Sequence, residues 1–377
     1  MTMADIVENL EIDKDTVSVD ELENIFSKKY DLLTETAVTL KKTYINKLSL
    51  NKSLHVAVSL LDNSIEVYQL TNSSLSKVCR LSGHKDSLTE LVFSPKEEHL
   101  LYSAGHDGIK LWDTRTSGLC TQEYKDEPDA TPRQYECMDV SCSGRLLAAG
   151  SVLHEDDAYL VFWDVRNTQP LGGYWNSHTD DITQVKFHKE KSEILSSGSL
   201  DGLLNIYNVL EATEDDALTY SLNVDNSIEK ISWLSEDLVA CCTQSHDAQL
   251  WNTCSGDLLQ TYDREKIARG IKRLRADDCY LVDMFTSSDK STVILTGSYS
   301  GEGNLLRSVT AEDKKLRPSC NFVKNKQVVR CLGYDEQRDI LITAGESGLV
   351  SVWSTEGPAV SEEIKQRSRG HNRHKPY

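Results

Sequence analysis

The stretch GHDGIKLWDTR, from Gly105 to Arg115, ends a short hydrophobic run in Trp-Asp-x-Arg. About fifty residues later YLVFWDVR, from Tyr159 to Arg166, repeats that ending. Short apolar runs bounded by turn residues are typical of β-strands. The layout between Gly83-His84 and Trp112 predicts a strand, a turn and a strand, and Ser177-His178 to Tyr207 repeats it.

The same strand ending recurs along the chain at a nearly constant interval. An aromatic residue followed by a polar one closes an apolar run at six positions: Tyr68, Trp112, Trp163, Tyr207, Trp251 and Trp353. The last gap is about twice the others, and GEGNLLRSV, from Gly301 to Val309, is a degenerate copy that fills it. A period of about 47 residues therefore predicts seven units.

Each unit has room for several short strands and for no long helix. The fourth unit shows the pattern, with strand candidates in ITQVKFH, SEILSSGS, LLNIYNV and DALTYSLNV. Four-stranded units with Gly-His and Trp-Asp punctuation resemble the WD-repeat β-propellers. The resemblance covers residues 30–357 and implies an all-β fold of seven blades.

The segment from Asp156 to Leu218 resembles a narrower group, the WD repeat-containing protein 89 family. Its propellers share a paired Trp-Asp-x-Arg, an acid-rich turn ahead of one of these strands and a basic tail. The similarity is thinner from blade five onward. The resemblance implies a non-catalytic interaction protein.

The resemblance to WD-repeat propellers also implies a hydrogen-bond network within a blade. It joins the His of Gly-His, a Ser or Thr on the second strand, the Asp of the next turn and the aromatic ending the third strand. In blades two and four these positions are His84, Ser103, Asp107, Trp112, His178, Ser197, Asp201 and Tyr207. Such His–Ser–Asp sets also suggest a hydrolase triad, but their recurrence beside an aromatic residue favours a structural role.

Other blades keep less of this pattern. Blade three has no Gly-His pair, blade five keeps His246-Asp247 and Trp251, and blade six keeps almost nothing. Blade seven offers Thr343 and Trp353. We expect these blades to rely on apolar packing.

The two ends of the chain differ from the repeats. Residues 1–29 form an acidic extension in which Ser18 and Glu21 predict a capped short helix, with Val19, Leu22, Ile25 and Phe26 as its apolar stripe. The following segment, Tyr30 to Leu40, is expected to complete the last blade and remove its exposed edge. Residues 358–377 are basic and predict a disordered tail.

Composition limits the classes of function. The net charge is −18, from 41 Lys and Arg against 59 Asp and Glu, which disfavours nucleic-acid binding except weakly through the tail. No run predicts a membrane helix or signal peptide, so we expect a monomer in the cytoplasm or nucleus. The ten cysteines form no C-x-x-C pair, and neither a metal nor a cofactor is expected.

Three acidic elements should meet on one face of the ring, in the loops around blades three and four. They are, in chain order, Asp126, Glu127, Asp129, Glu155, Asp156, Asp157, Asp180 and Asp181. Such a field would attract a basic protein partner, although a solvated face is an alternative. A Ca²⁺ site is a third interpretation, but no D-x-D-x-D-G loop accompanies the carboxylates.

Two basic features raise further possibilities. Arg115 and Arg166 end the paired Trp-Asp-x-Arg motifs, through which some WD-repeat proteins dock on the adaptor of a cullin-type ubiquitin ligase; an arginine pairing with a nearby aspartate is the alternative. REKIARGIKRLR, from Arg264 to Arg275, connects blades five and six. It could pair with the acidic loops, or contact RNA or an acidic peptide.

The leading hypothesis is a non-catalytic scaffold or escort whose acidic face binds a basic client, such as a ribosomal or other nucleic-acid-binding protein. The alternative is a substrate receptor of a cullin-type ubiquitin ligase. No G-x-S-x-G, P-loop, H-E-x-x-H or Cys-His signature is present, so we do not expect an enzyme.

Overall fold

A computed structural model describes residues 13–41, 43–71, 74–116, 118–126 and 133–355. Within these ranges the chain forms seven antiparallel sheets of four strands each. We number these sheets as blades one to seven and call their strands a to d from the inside outward. The predicted all-β, seven-bladed propeller is confirmed.

Each blade is a simple up-and-down sheet of consecutive strands, except the seventh. Blades one to three contain β2 (Leu48–Leu50), β3 (His55–Ser59), β4 (Ile65–Thr71), β5 (Ser74–Leu81), β6 (Leu88–Phe93), β7 (Leu100–Gly105), β8 (Gly108–Asp113), β9 (Cys120–Tyr124), β10 (Tyr135–Val140), β11 (Leu146–Ser151), β12 (Leu160–Asp164) and β13 (Pro170–Tyr174). Blades four to seven contain β14 (Ile182–Phe187), β15 (Ile194–Ser199), β16 (Leu203–Asn208), β17 (Leu218–Asn223), β18 (Ile228–Trp233), β19 (Leu238–Thr243), β20 (Ala248–Asn252), β21 (Leu258–Tyr262), β22 (Cys279–Thr286), β23 (Thr292–Ser298), β24 (Leu305–Glu312), β25 (Lys315–Asn321), β26 (Val329–Asp335), β27 (Ile340–Gly345) and β28 (Leu349–Ser354).

The ring closes through the N-terminal strand. Strand β1 (Asp31–Ala37) pairs antiparallel with β28 and supplies the outer strand of blade seven. Just before it, the Tyr30 hydroxyl donates to Asp339 Oδ1 at 2.6 Å and ties the start of the strand to the a–b turn of the same blade. The predicted closure by Tyr30 to Leu40 is confirmed, and it covers an edge that would otherwise expose unpaired backbone groups.

The core lies within and between the blades. The aromatic residues that marked the repeat in the sequence are buried there, with Trp112, Trp163, Tyr207 and Trp353 at most 1% exposed. Trp163, for example, makes edge-to-face contacts with Tyr124 of blade two and Tyr135 of its own blade, at ring distances of 6.4 and 5.8 Å. These packed strands are a rigid frame that fixes the positions of the loops at both rims.

The described residues include three short α-helices outside the sheets: α1 (Val19–Ile25), α2 (Glu214–Ala217) and α3 (Arg264–Gly270). The predicted capping box of α1 is present, because Ser18 and Glu21 bond reciprocally. Leu22 and Phe26 of the predicted stripe are buried, but Val19 is 72% exposed because it lies in the first turn, on the solvent side. None of the described helices is long and apolar enough to cross a membrane.

The chain direction assigns each loop to a rim. Because the strands alternate in direction, the d–a connections and b–c turns lie at one end, which we call the upper rim, and the a–b and c–d turns lie at the lower rim. The inner strands surround a central channel of about 630 Å³. Its wall carries charged side chains from several blades, including Glu90, Asp139, Lys186 and Asp283.

Candidate functional site

Blade two contains a continuous side-chain network. His84 bonds through Nδ1 to Asp107 and through Nε2 to Ser103 Oγ at 2.6 Å. The indole N–H of Trp112 donates to the same Ser103 oxygen at 2.7 Å. Burial opposes ionisation of Asp107, but hydrogen bonds from His84 and the Lys85 N–H outweigh it and hold the pKa of this carboxyl below its ordinary range. The network links the d–a connection to strands b and c.

Blade four has the same arrangement with a phenol in place of the indole. His178 bonds to Asp201 Oδ2 at 3.0 Å and to Ser197 Oγ at 2.7 Å. The Tyr207 hydroxyl lies 3.3 Å from Ser197 Oγ and accepts from Asn205 Nδ2 at 3.3 Å. His178, Ser197 and Asp201 thus all form hydrogen bonds within the blade, as a structural role requires.

The other repeats keep fragments of this network. In blade seven the Trp353 indole donates to Thr343 Oγ1 at 2.9 Å. In blade five Asp247 Oδ1 accepts from the Arg264 N–H at 2.8 Å, while His246 lies in the b–c turn. Burial, aided by Arg264 and Arg330, lowers the pKa of His246 to about 4. In blade three the buried Trp163 N–H has no hydrogen-bond partner in the described part of the chain.

Blade six is fixed by a different device, which the sequence did not predict. Residues 13–28, which we call the N-terminal strap, pass over it. Asp13 is fully buried and accepts from Arg273 Nε at 2.8 Å, from Ser298 Oγ at 2.9 Å and from Ser300 Oγ at 2.9 Å. Asp15 pairs with Arg307 Nη1 at 2.6 Å. The blade therefore receives its acidic network members from the other end of the sequence.

The strap makes backbone and apolar contacts as well. The Thr16 N–H donates to Lys272 O at 2.9 Å, and the Leu274 N–H donates to Lys14 O at 3.0 Å. Phe26 is buried, and the Arg307 guanidinium lies 5.1 Å from its ring centre. Blade six was expected to rely on apolar packing. That expectation was incomplete, because the strap adds a buried ionic cluster.

The acidic loops of blades three and four meet on the upper rim. The Asp181 carboxylate accepts from the Leu153 N–H at 2.7 Å and joins the d–a connection of blade four to the b–c turn of blade three. Glu155 and Asp156 are exposed in that turn and adopt positive φ angles of 50° and 75°. Asp157 and Asp180 are half-buried beside them. We call Glu155, Asp156, Asp157, Asp180 and Asp181 the acidic crown.

One arginine enters this surface and was missed in the sequence. Arg133 Nε lies 2.6 Å from Asp126 Oδ2, and its guanidinium stacks 3.7 Å from the centre of the Tyr159 ring. The Tyr159 hydroxyl in turn donates to Asp157. Asp126 is therefore paired within the chain and is not available as an open carboxylate. Glu127 and Asp129 lie outside the described residues.

Arg115 and Arg166 have the same local geometry. Each guanidinium forms a forked pair with the aspartate two residues earlier: Arg115 Nε donates to Asp113 Oδ1 at 3.0 Å, and Arg166 Nε donates to Asp164 Oδ1 at 2.9 Å. The side chains remain 65% and 67% exposed. The hydrogen bond from Arg115 lowers the pKa of Asp113 to about 2. The pairing orients both arginines without burying them.

The basic connector does not pair with the acidic crown. Its first half is α3, in which Ile267 is buried, while Leu274 beyond the helix is 42% exposed. Among the described residues, its basic side chains form ion pairs with Asp13, Asp15, Asp263 and Asp278.

A contact next to blade four was also not predicted from the sequence. Glu214 of α2 accepts hydrogen bonds from the Trp175 and Asn176 N–H groups.

The central channel contains a buried carboxyl group, that of Asp139, whose pKa is raised. Asp139 accepts from the Val140 and Phe187 N–H groups, both at 2.8 Å. Burial raises its pKa to about 6, against the attraction of Lys186. Lys186 Nζ lies 3.9 Å from Glu90 of blade two. The channel is polar and charged throughout this part of its wall.

Comparison with known proteins agrees with the geometry. Residues 75–113 and 170–208 match the family model of the WD domain, G-beta repeat. The two segments contain the network histidine, serine, aspartate and aromatic residue of blades two and four. The presence of WD repeats is therefore confirmed.

Three curated proteins illustrate the longer similarity. The chain is 25% identical over 325 residues to the WD repeat-containing protein 89 homolog of Dictyostelium discoideum, covering 85% of each chain. It is 27% identical to WD repeat-containing protein GTS1 of Arabidopsis thaliana, over 65% of this chain and 62% of that protein. An uncharacterized WD repeat-containing protein of Schizosaccharomyces pombe is 27% identical, over 74% of this chain and 86% of its own length.

Proposed function

We propose that this WD-repeat β-propeller is a non-catalytic scaffold whose acidic crown binds a basic segment of a protein partner. WD-repeat propellers generally act as protein-interaction scaffolds, and the family match supports that class here. A client of this kind would be a ribosomal protein or another nucleic-acid-binding protein, because such proteins carry exposed basic segments. Binding would shield those segments during assembly.

The observation that carries the proposal is the bond from the Leu153 N–H to Asp181. This bond joins the connection that carries Asp180 and Asp181 to the turn that carries Glu155, Asp156 and Asp157, so the five acidic residues belong to two linked loops of the upper rim. Glu155 and Asp156 are held in a two-residue turn closed by mutual backbone bonds between His154 and Asp157. Like charges placed so close raise the local negative potential and favour a cationic partner.

Apolar groups beside the crown would add contact area. Trp175 is 49% exposed in the d–a connection that carries Asp180, and Leu153 is exposed next to Glu155. An aromatic side chain flanked by charges is a frequent anchor in protein interfaces. The preferred segment would therefore combine Lys or Arg with an apolar residue.

The test is recovery of clients by the tagged full-length chain at low and high salt, followed by their identification. The variant Glu155→Gln, Asp156→Asn, Asp180→Asn removes three charges and keeps Asp181, whose bond orders the loops. We expect client recovery to fall about tenfold at low salt. Recovery should also weaken as salt rises, because the charges are exposed.

A matched control removes the same charge from the lower rim. Glu97→Gln, Glu190→Gln, Glu236→Gln changes three exposed acids of the a–b turns. Equal recovery by the crown variant and the wild type, or equal losses in both variants, would contradict the proposal.

A second function is favoured by the shared pose of Arg115 and Arg166. Two guanidinium groups, held alike on adjacent blades and about two-thirds exposed, could dock the adaptor of a cullin-type ubiquitin ligase. The chain would then be a substrate receptor. Arg115→Ala with Arg166→Ala should abolish co-purification of the adaptor, whereas Arg317→Ala, an equally exposed paired arginine, should not. Adaptor association that survives the double substitution would exclude this role.

A further inference from the structure

A cluster of positive charge lies on the upper rim where the N-terminal strap meets the basic connector. Arg269 and Arg275 line a hollow there together with Leu274, and Lys14 and Lys272 belong to the two segments that meet at this point; we call these four basic residues the cationic rim. This hollow of about 420 Å³ is lined by Glu265, Ala268, Arg269, Arg273, Leu274, Arg275, Ala276 and Asp277. In a chain of net charge −18, such a concentration of cations is against the general trend.

The strap contacts the segment that lines this hollow. Arg273 is 8% exposed, and Asp13 and Asp15 neutralise it within the wall. The bond from the Leu274 N–H to Lys14 O holds the two segments side by side at 3.0 Å. The base of the site is therefore rigid and electrically balanced, and the excess charge is on the rim.

The cations of the rim differ in how they are compensated. Arg275 lies 3.6 Å from Asp278. Arg269 is exposed and Lys272 half-buried, and neither has a carboxylate within ion-pair distance among the described residues. No direct ion pair within the described part of the chain therefore neutralises these two charges, and Leu274, which follows Lys272 closely in sequence, is exposed. Ala268 and Ala276 supply further apolar wall.

We propose that the cationic rim binds a short acidic peptide segment of a partner protein, with an apolar side chain in the hollow. The charge of Arg269 and Lys272 selects carboxylates, and Leu274 with the two alanines selects an apolar anchor. A long polyanion is disfavoured, because parts of it would come within the Debye length of about 8 Å of acidic side chains outside the cationic rim and be repelled there. Glu265 and Asp277 in the wall also restrict the length of negative charge that the site can accept.

This inference is independent of the proposed function. It concerns the opposite charge, other blades and other residues than the acidic crown. A partner could use one surface without the other. Loss of binding at one of them therefore leaves the second proposal intact.

The experiment uses the full chain and a fluorescein-labelled peptide of glutamate and leucine, with fluorescence anisotropy as the readout. We expect saturable binding that weakens with salt. Arg269→Glu with Lys272→Glu should raise the Kd about tenfold or more. Lys52→Glu with Lys96→Glu, which makes the same change in net charge in the a–b turns of the lower rim, should change the Kd less than about twofold.

Circular dichroism melting of both double variants checks that the fold is retained. Three results would overturn the proposal. The first is absence of saturable binding, and the second is an equal change of Kd in both double variants. The third is displacement of the peptide by oligouridylate as effectively as by unlabelled peptide, since that would identify a nucleic-acid surface.

Discussion

Blades two and six are each held by a buried polar network, but the two networks are built differently. In blade two His84, Ser103, Asp107 and Trp112 form one network within 28 residues of sequence. In blade six the corresponding carboxylates are those of Asp13 and Asp15. Asp13 lies 260 residues before Arg273, the arginine with which it pairs. A blade can therefore lose its own polar network when another segment supplies buried partners for its cations.

The difference has consequences for folding. The network of blade two can form as soon as its own strands pair, because its members are close in sequence. The strap can bind only after blade six has formed. Bringing Asp13 to Arg273 closes a long loop, and the entropy lost in closing it must be offset by contacts that already exist. We infer that blade six gains its final stability late, together with ring closure by β1.

The largest expected effect comes from breaking the strap contact. Arg273→Ala leaves the Asp13 carboxylate buried without its main partner, so we expect a loss of about 3–5 kcal/mol in the free energy of unfolding. Urea unfolding followed by tryptophan fluorescence measures it. Arg269→Ala, an exposed neighbour, should cost about 0.5 kcal/mol or less. Similar losses in both variants would mean that the buried cluster does not stabilise blade six.

The next effect separates a complete network from an incomplete one. Trp112→Phe removes the indole donor to Ser103 as well as volume, and we expect a cost of about 2–4 kcal/mol. Trp163→Phe removes an indole N–H that has no partner among the described residues and should cost about 1–2 kcal/mol. The same urea experiment compares them. A larger cost at Trp163 would show that packing, and not the hydrogen bond, dominates at these positions.

The pH dependence of the free energy of unfolding differs between these two buried networks and the central channel. The pKa values of Asp13 and Asp107 are lowered in the fold, so their stabilisation is present above the ordinary carboxyl range and is lost as pH falls below it. The pKa of Asp139 shifts in the opposite direction, to about 6, so the free energy of unfolding falls as pH rises from about 4 to 6.

Asp139→Asn should remove that fall, which we expect to be about 1–2 kcal/mol after allowance for the solvent in the channel. Thermal melting from pH 4 to 7 measures it, with Asp107→Asn as the comparison. An unchanged slope in the Asp139 variant would mean that this group ionises normally.

The smallest effect concerns blade four. Its Tyr207 hydroxyl makes two contacts of 3.3 Å, longer than the 2.7 Å contact of Trp112. We expect Tyr207→Phe to cost about 0.5–1.5 kcal/mol. Tyr207→Trp would test whether the indole fits the site, by the change in melting temperature. A loss as great as that of Trp112→Phe would show that the phenol is a full substitute for the indole.

The sequence predicted the features that repeat or that act over short distances. The strand endings and the capping box of α1 follow from alternation, spacing and local hydrogen bonding, and the members of the networks follow from the resemblance to WD-repeat propellers. Gly105 illustrates how tight these local constraints are, because a Cβ there would lie 2.7 Å from Ser87 O and 3.1 Å from His84. Such steric restrictions limit which residue type can occupy a position, so their effect can be recognised in the sequence.

The candidate surfaces were predicted less completely. Eight carboxylates were assigned to one face, but Arg133 pairs with Asp126 and reduces the open set. The basic connector was expected to pair with the acidic loops or with a ligand, and it holds Asp13 and Asp15. Charge patterns indicate that a segment is polar, but they do not identify which opposite charge in the fold it meets.

The sequence by itself determined the number of blades and the strand–turn–strand pattern within blades two and four. Each of these depends on periodicity or on neighbours within one repeat. Only the tertiary structure decided how the N-terminal strap completes blade six, how Asp181 assembles the acidic crown and where the cationic rim opens. These contacts join segments far apart in sequence, and pairing over that distance is set by the geometry of the closed ring.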